Sequence, residues 1–127
     1  GRTFAFRRTF TDGDVALFCG VTGDFNPYHL DDAFSAEGRF GRRIVPGLLT
    51  GSMLTHIGGL LGFLAARMAF EYERPVYVGD TVECVVTIDA VDERGRSDAS
   101  AVFTNQDGEV VLRATFAGRP THVRLAR

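Results

Sequence analysis

No lysine occurs in the 127 residues, so the fourteen basic side chains are all arginines, set against sixteen acidic ones for a net charge of −2. A protein built to hold nucleic acid carries a basic excess that displaces counterions, and this chain has none. Arginine does make planar, two-pronged contacts with carboxylates and phosphates, so local anion sites remain open. Cysteine is nearly missing as well. Cys19 and Cys84 stand far apart, with no CxxC and no histidine beside either. A zinc site or redox motif is thereby excluded, leaving two buried free thiols or a single long-range disulfide. The opening residues lack an apolar block, because charges interrupt Gly1 to Phe10. No secretory leader is read there, and the expected location is cytoplasmic.

Charge is missing altogether from Ile44 to Ala66. That run exceeds the roughly 20 residues a bilayer span requires. It nevertheless contains Pro46, Thr50, Ser52, Thr55, His56 and five glycines. A helix wrapped on all sides in a soluble protein is also apolar all round, and that reading is adopted over a membrane span. Apolar residues at 45% and charged residues at 24% are enough to build a core without disulfides or metals. With no internal repeat and no low-complexity linker, residues 1–127 read as one domain.

Thr3 to Phe10 reads as a strand. Thr11 then stands as a helix N-cap with Asp14 at the reciprocal capping-box position, Val15, Phe18 and Cys19 face inward, and Gly20 is the expected stop. From Val21 to Arg43 the pattern is broken by Gly23, Pro27, Gly38 and Gly41, apart from a short helix expected at Asp31 to Ala36. A loop of that length in a compact domain usually carries function.

A long helix is expected from about Leu48 to Met68. Its small residues Gly47, Gly51, Thr55, Gly58 and Gly62 form a narrow face that predicts close approach of another backbone. Phe70 to Tyr77 reads as a strand interrupted by Pro75. Val82, Cys84, Val86 and Ile88 alternate with polar residues, Ala99, Ala101 and Phe103 line a further strand, and Asp107-Gly108 turns into a last one carrying Val110, Leu112, Ala114 and Phe116. The fold class is α+β, a long central helix wrapped by an antiparallel β-sheet.

The segment from Thr22 to His29 sets an acid, Asp24, five positions before an imidazole, His29, with Asn26-Pro27 stiffening the turn between them. A carboxylate and an imidazole around one water can divide the work of base and acid. By spacing alone, Asp24 capping a turn and His29 lying on the surface is an equal reading.

The string from Gly23 to Asp31, Gly-Asp-Phe-Asn-Pro-Tyr-His-Leu-Asp, closely resembles the signature of the MaoC-like dehydratases, the (R)-specific enoyl-CoA hydratases. The resemblance continues through Ile44 to Ser52 and Pro75 to Val82, and so spans nearly the whole chain. It implies a hot-dog fold, a homodimer, and reversible addition of water to a trans-2-enoyl thioester of coenzyme A or acyl carrier protein, giving the (R)-3-hydroxyacyl thioester. Neither metal nor cofactor is implied. On the matching positions Asp24 and His29 would be the catalytic pair, and the backbone N–H of Gly47 would receive the developing oxyanion. Asn26 would brace the loop, and Thr55, or its near rival Ser52, would steady Asp24. Pro46 stands where the family commonly has histidine, which bears on substrate preference.

Elsewhere, His56 reads as a hydrogen-bonded core histidine and His122 as a solvated residue of a polar tail. Phe4, Phe6, Phe10, Phe70, Tyr72 and Phe103 read as core. Arg39, Arg42, Arg43, Arg74 and Arg119 could meet the phosphates of a carrier arm, with a solvated surface as the alternative for any one. Two other functions stay open, a hot-dog thioesterase and a non-catalytic subunit that binds acyl thioesters.

Overall fold

A computed structural model describes residues 2–121 of the chain. The first strand, β1 (Thr3–Thr9), runs into helix α1 (Asp12–Thr22). Thr11 caps that helix through its side chain, which accepts from the Asp14 N–H, while Asp14 returns the bond to the Thr11 N–H at 2.9 Å. Two short helices follow, α2 (Pro27–Leu30) and α3 (Asp32–Ala36), and then α4 (Gly47–Gly51) and α5 (Met53–Leu61). Four strands complete the fold: β2 (Phe63–Tyr72), β3 (Thr81–Val91), β4 (Ser97–Thr104) and β5 (Val110–Pro120).

All neighbouring strands are antiparallel, in the order β1-β3-β4-β5-β2. Helix α5 packs against β1 at one edge, β2 at the other, and β3 between them. A single helix can touch both edges of a five-stranded sheet only if the sheet curls around it. Met53, Leu54 and Ile57 of α5 meet the inward rows of the strands, among them Val82, Cys84, Val86, Ala101, Phe103, Leu112 and Ala114. The alternation expected for β3 and β4 is present, with every second side chain buried from Val82 to Val86 and from Ser97 to Phe103.

Helix lengths depart from expectation twice. The helix expected to reach Met68 ends at Leu61, where Gly62 takes a left-handed conformation (φ 64°) and its N–H bonds back to Gly58 and Gly59. Beyond it, Phe63 to Tyr72 is a strand paired with β5, so the backbone of the expected last helical turns goes instead to the sheet ladder. Tertiary pairing has overridden good helix formers such as Leu64, Ala65 and Ala66. Within the helical stretch, Ser52 separates α4 from α5. At its other end the chain corrects a stop signal: α1 passes through Gly20 and ends at Gly23 (φ 77°), whose N–H bonds to the Cys19 carbonyl at 2.8 Å.

The small face of the helix serves rings rather than backbone. A Cβ on Gly47 would lie 2.6 Å from Tyr72 Cε1, and one on Gly51 would lie 2.8 Å from Phe70 Cε1. A Cβ on Gly58 would meet only the Phe63 carbonyl oxygen, at an ordinary 3.8 Å, so close approach is confined to the N-terminal half. Of the aromatics expected in the core, Phe10 and Phe103 are sealed and Phe4, Phe6 and Phe70 pack against it, but Tyr72 is half exposed. The uncharged run from Ile44 to Ala66 is thus divided between α4, α5 and the start of β2, and no helix of the described residues is long and apolar enough to cross a membrane.

Candidate active site

The left-handed turn at Gly23 frees the chain from α1 and starts a run of side-chain-to-backbone bonds. Asp24 N–H donates to Thr22 Oγ1 at 3.1 Å, and Asp24 Oδ1 accepts from the Asn26 N–H at 3.1 Å. Asn26 Oδ1 accepts in turn from the Tyr28 N–H at 3.0 Å, which makes Asn26 the N-cap of α2 with Pro27 at the first helical position. Short polar side chains that fold back on the next residues build rigid turns of this kind. Helix α2 was not expected from the sequence. At four residues it has no periodicity to read, and only the Asn-Pro pair announces it.

On α2 the side chain of His29 turns inward and is 11% exposed. Its Nδ1 lies 2.7 Å from the Ile44 carbonyl oxygen. A carbonyl can only accept, so Nδ1 carries the proton and the Nε2 of the neutral ring carries the lone pair. Nε2 faces Asp24 Oδ2 at 3.7 Å. The two side chains that the spacing singled out are therefore brought together, with Asp24 half open to solvent and His29 enclosed.

Arg43 clamps this arrangement. Its guanidinium bonds Asp12 at the start of α1 and Asp32 on α3, both at 2.7 Å, and the His29 carbonyl at 3.3 Å. The bond to Asp12, followed by that to Asp32, holds the guanidinium pKa above its ordinary value against the opposing effect of burial. Ser35, fully buried, ties α3 to α2 through the carbonyls of Pro27 and Tyr28. Spacing offered no sign of the clamp, because Arg43 looked like any of several surface arginines.

Asp24 and His29 open onto a cleft of about 700 Å³. Phe18, Val45, Leu48, Val76, Val111 and Leu112 give it apolar walls, Gly47, Thr50 and Tyr72 line it on the α4 side, and Arg39, Glu73 and Arg74 supply its charges. Gly47 begins α4 after Pro46, which provides no side-chain cap, and among the described residues the Gly47 N–H has no acceptor. Burial raises the Tyr72 pKa.

Ser52 and Thr55 are not brought to Asp24. Their hydroxyls donate to the carbonyls of Leu49 and Ser52, at 2.5 and 2.6 Å, so neither is turned towards the Asp24 loop. His56 is exposed and stacks on Phe6 with ring centroids 3.8 Å apart, which corrects the core assignment. The strand face that holds Phe6 is open at that point, so the imidazole covers a ring and stays wet. His122 lies outside the described residues. Among the arginines, Arg42 lies over the Tyr77 ring, Arg74 pairs with Glu109, and Arg39 remains at the cleft. Both cysteines are free and buried. Burial, with the Asp24 carboxylate second, raises the Cys19 thiol, and burial alone pushes Cys84 up to about 12, so neither is a nucleophile at neutral pH. No group of three His, Cys, Asp or Glu side chains among the described residues is placed to hold a metal ion.

Comparison with known proteins gives the chain a family and a fold. The MaoC-like domain family matches residues 1–110. Over 117 residues the chain is 32% identical to the 3-hydroxybutyryl-CoA dehydratase of Methylorubrum extorquens, covering 88% of this chain and 74% of that protein. It is 36% identical over 102 residues to the (R)-specific enoyl-CoA hydratase of Aeromonas caviae, covering 73% of this chain and 72% of that one. Among solved structures, the unliganded R-hydratase of Pseudomonas aeruginosa superposes with a TM-score of 0.91 at 25% identity, over all of this chain and 87% of that one. The curled sheet around a helix is accordingly the hot-dog fold.

Proposed function

Because the chain belongs to the MaoC-like dehydratase family, we propose that it is a hydro-lyase of fatty acid metabolism. It adds water to a trans-2-enoyl thioester to form the (R)-3-hydroxyacyl thioester, or removes that water in reverse. The observation that carries the reading is the 3.7 Å between His29 Nε2 and Asp24 Oδ2 at the wall of the cleft. With Nδ1 committed to Ile44, the pair presents two acceptors to each other, too far apart for a direct N–H···O bond. One water donating to both satisfies them and has its lone pairs left for C3 of the substrate.

Asp24 anchors that water. Attack at C3 forms the C–O bond, and the water's proton passes to Nε2 of His29. The electron pair of the double bond moves towards the thioester oxygen, where the unpartnered N–H of Gly47 meets the growing charge. His29 then delivers the proton to C2 and returns to neutral, so the atoms of one water are added and both side chains are restored. Asn26 holds the turn in which Asp24 sits. Ser52 and Thr55 have no part in this scheme.

Substrates are thioesters of coenzyme A or of acyl carrier protein, with the acyl chain in the apolar cleft. Each chain is a single domain over residues 1–127, and the functional unit is a homodimer of two such chains. Strand β2 supports this: it is paired on one side only, and Leu64, Met68 and Tyr72 are exposed along it. A free, apolar edge strand of ten residues is a surface that a second copy would pair and cover. The two unpaired cysteines suit the reducing cytoplasm.

The test is the ultraviolet band of the conjugated enoyl thioester, followed with crotonyl-CoA and a medium-chain homologue. Wild type should remove the band and Asp24→Asn should not. Release of free thiol in place of hydration would establish a thioesterase instead, and light scattering showing a monomer at micromolar concentration would remove the dimer.

A further inference from the structure

Three hydroxyls lie along α4 and α5, and one of them is unlike the others. Ser52 and Thr55 donate to the carbonyl three residues back. That back-bond is what a helical Ser or Thr adopts when nothing better is near. Thr50 does not make it. The residue is 2% exposed, and Oγ1 has neither a protein partner nor solvent. It is the one buried side-chain oxygen or nitrogen among the described residues in that condition. A sealed hydroxyl without a partner destabilises a fold, and valine has nearly the same shape without that defect.

The position of Thr50 suggests what the hydroxyl is for. Thr50 lines the same cleft as Asp24, His29 and Gly47. A helical side chain leans towards the N-terminus and covers the turn before it, here the turn of Gly47, which has no side chain of its own and packs against the Tyr72 ring. One step of χ1 carries Oγ1 into the place held by the methyl or the hydrogen on the same Cβ, so Oγ1 can turn to the cleft wall without backbone movement.

We propose that Thr50 is a substrate-contacting residue whose hydroxyl donates a hydrogen bond to the thioester carbonyl oxygen, beside the Gly47 N–H, when the acyl group enters the cleft. The proposal rests on the hydratase reading above. The thioester oxygen gains charge as water adds to C3, so a second donor there strengthens in the transition state and acts on kcat more than on KM.

Wild type, Thr50→Val and Thr50→Ser are compared by initial rates on crotonyl-CoA and by thermal melting. Thr50→Val should melt at or above the wild-type temperature, lose roughly tenfold to a hundredfold in kcat, and change KM little. Thr50→Ser, which keeps the hydroxyl and loses the methyl, should stay within about threefold of wild type in kcat. Wild-type kcat in Thr50→Val overturns the proposal, as does a Thr50→Ser variant that falls as far as Thr50→Val, since packing of the methyl would then be the cause. Absence of hydration by wild type itself overturns the hydratase reading and this proposal with it.

Discussion

The loop that carries Asp24 and His29 and the sheet that carries neither are held together by different forces. Between Gly23 and Ile44 only His29 and Ser35 are buried, while Phe25, Leu30 and Phe34 remain open to solvent. What fixes this region is directional: the Asp24 and Asn26 turns, the His29 bond to Ile44, and the Arg43 clamp. The helix and sheet are the reverse case. Phe10, Phe103, Met53 and Leu112 are fully sealed, and apolar contact, which has no preferred direction, does the holding. Hydrogen bonds place atoms to a fraction of an ångström while adding about 1 kcal/mol each, whereas burial of a large side chain contributes several times that and tolerates adjustment. Chemistry and stability should therefore be separable by mutation.

The largest effect tests the sheet. Phe103→Ala should destabilise the protein by about 3–5 kcal/mol in chemical denaturation while any folded fraction keeps its turnover. The loop is tested by Asp24→Asn and His29→Gln, each expected to lose ~100-fold or more in hydration rate with a melting temperature close to wild type. A His29→Gln protein that unfolds as readily as Phe103→Ala would break the division, because the imidazole would then be a core element. Arg43→Lys is intermediate. Asp12 and Asp32 are largely exposed, so the lost ion pairs should cost only about 1 kcal/mol. Lysine cannot span two carboxylates and a carbonyl as a planar guanidinium does, so the loop should loosen. Turnover is expected to fall several-fold with little change in melting, and equal losses in both would tie the clamp to the scaffold.

How much of this was legible in the sequence divides along the same line. The capping box at Thr11 and Asp14, the alternation in β3 and β4, and the Asp24–His29 pair were readable, because each is a pattern over neighbouring residues. Asn26-Pro27 declared a turn, and the match to a family signature gave that turn its meaning. The helix end at Gly62 was misplaced by several residues. Phe63 to Met68 has the composition of a helix, and only its partner β5, far along the chain, makes it part of a strand. His56 was misassigned for a related reason: an apolar helix does not disclose which side its sheet leaves open. Arg43, the Ile44 carbonyl and the orphaned Thr50 hydroxyl depend on three-dimensional neighbours, so no one-dimensional pattern marks them.

The smallest effect sharpens the comparison at the point where the two regions meet. Helix α1 buries Val15 and Cys19 against the core and ends at Gly23, beside Asp24, so its capping box is a polar device serving the scaffold. The Asp14 carboxylate accepts from the Thr11 N–H and pairs with Arg8 at 2.8 Å. The backbone bond is the foremost cause of an Asp14 pKa below its ordinary value. A carboxyl whose pKa is depressed by folding stabilises the fold above its unfolded pKa, and the contribution is lost as pH falls through the folded value. Asp14→Asn should thus cost about 1 kcal/mol near neutral pH, and the gap from wild type should narrow as acid protonates Asp14. Turnover per folded molecule should not change. If it drops instead, the cap at one end of α1 is setting the position of Asp24 at the other, and burial alone is not what holds the scaffold side of the Asp24 loop.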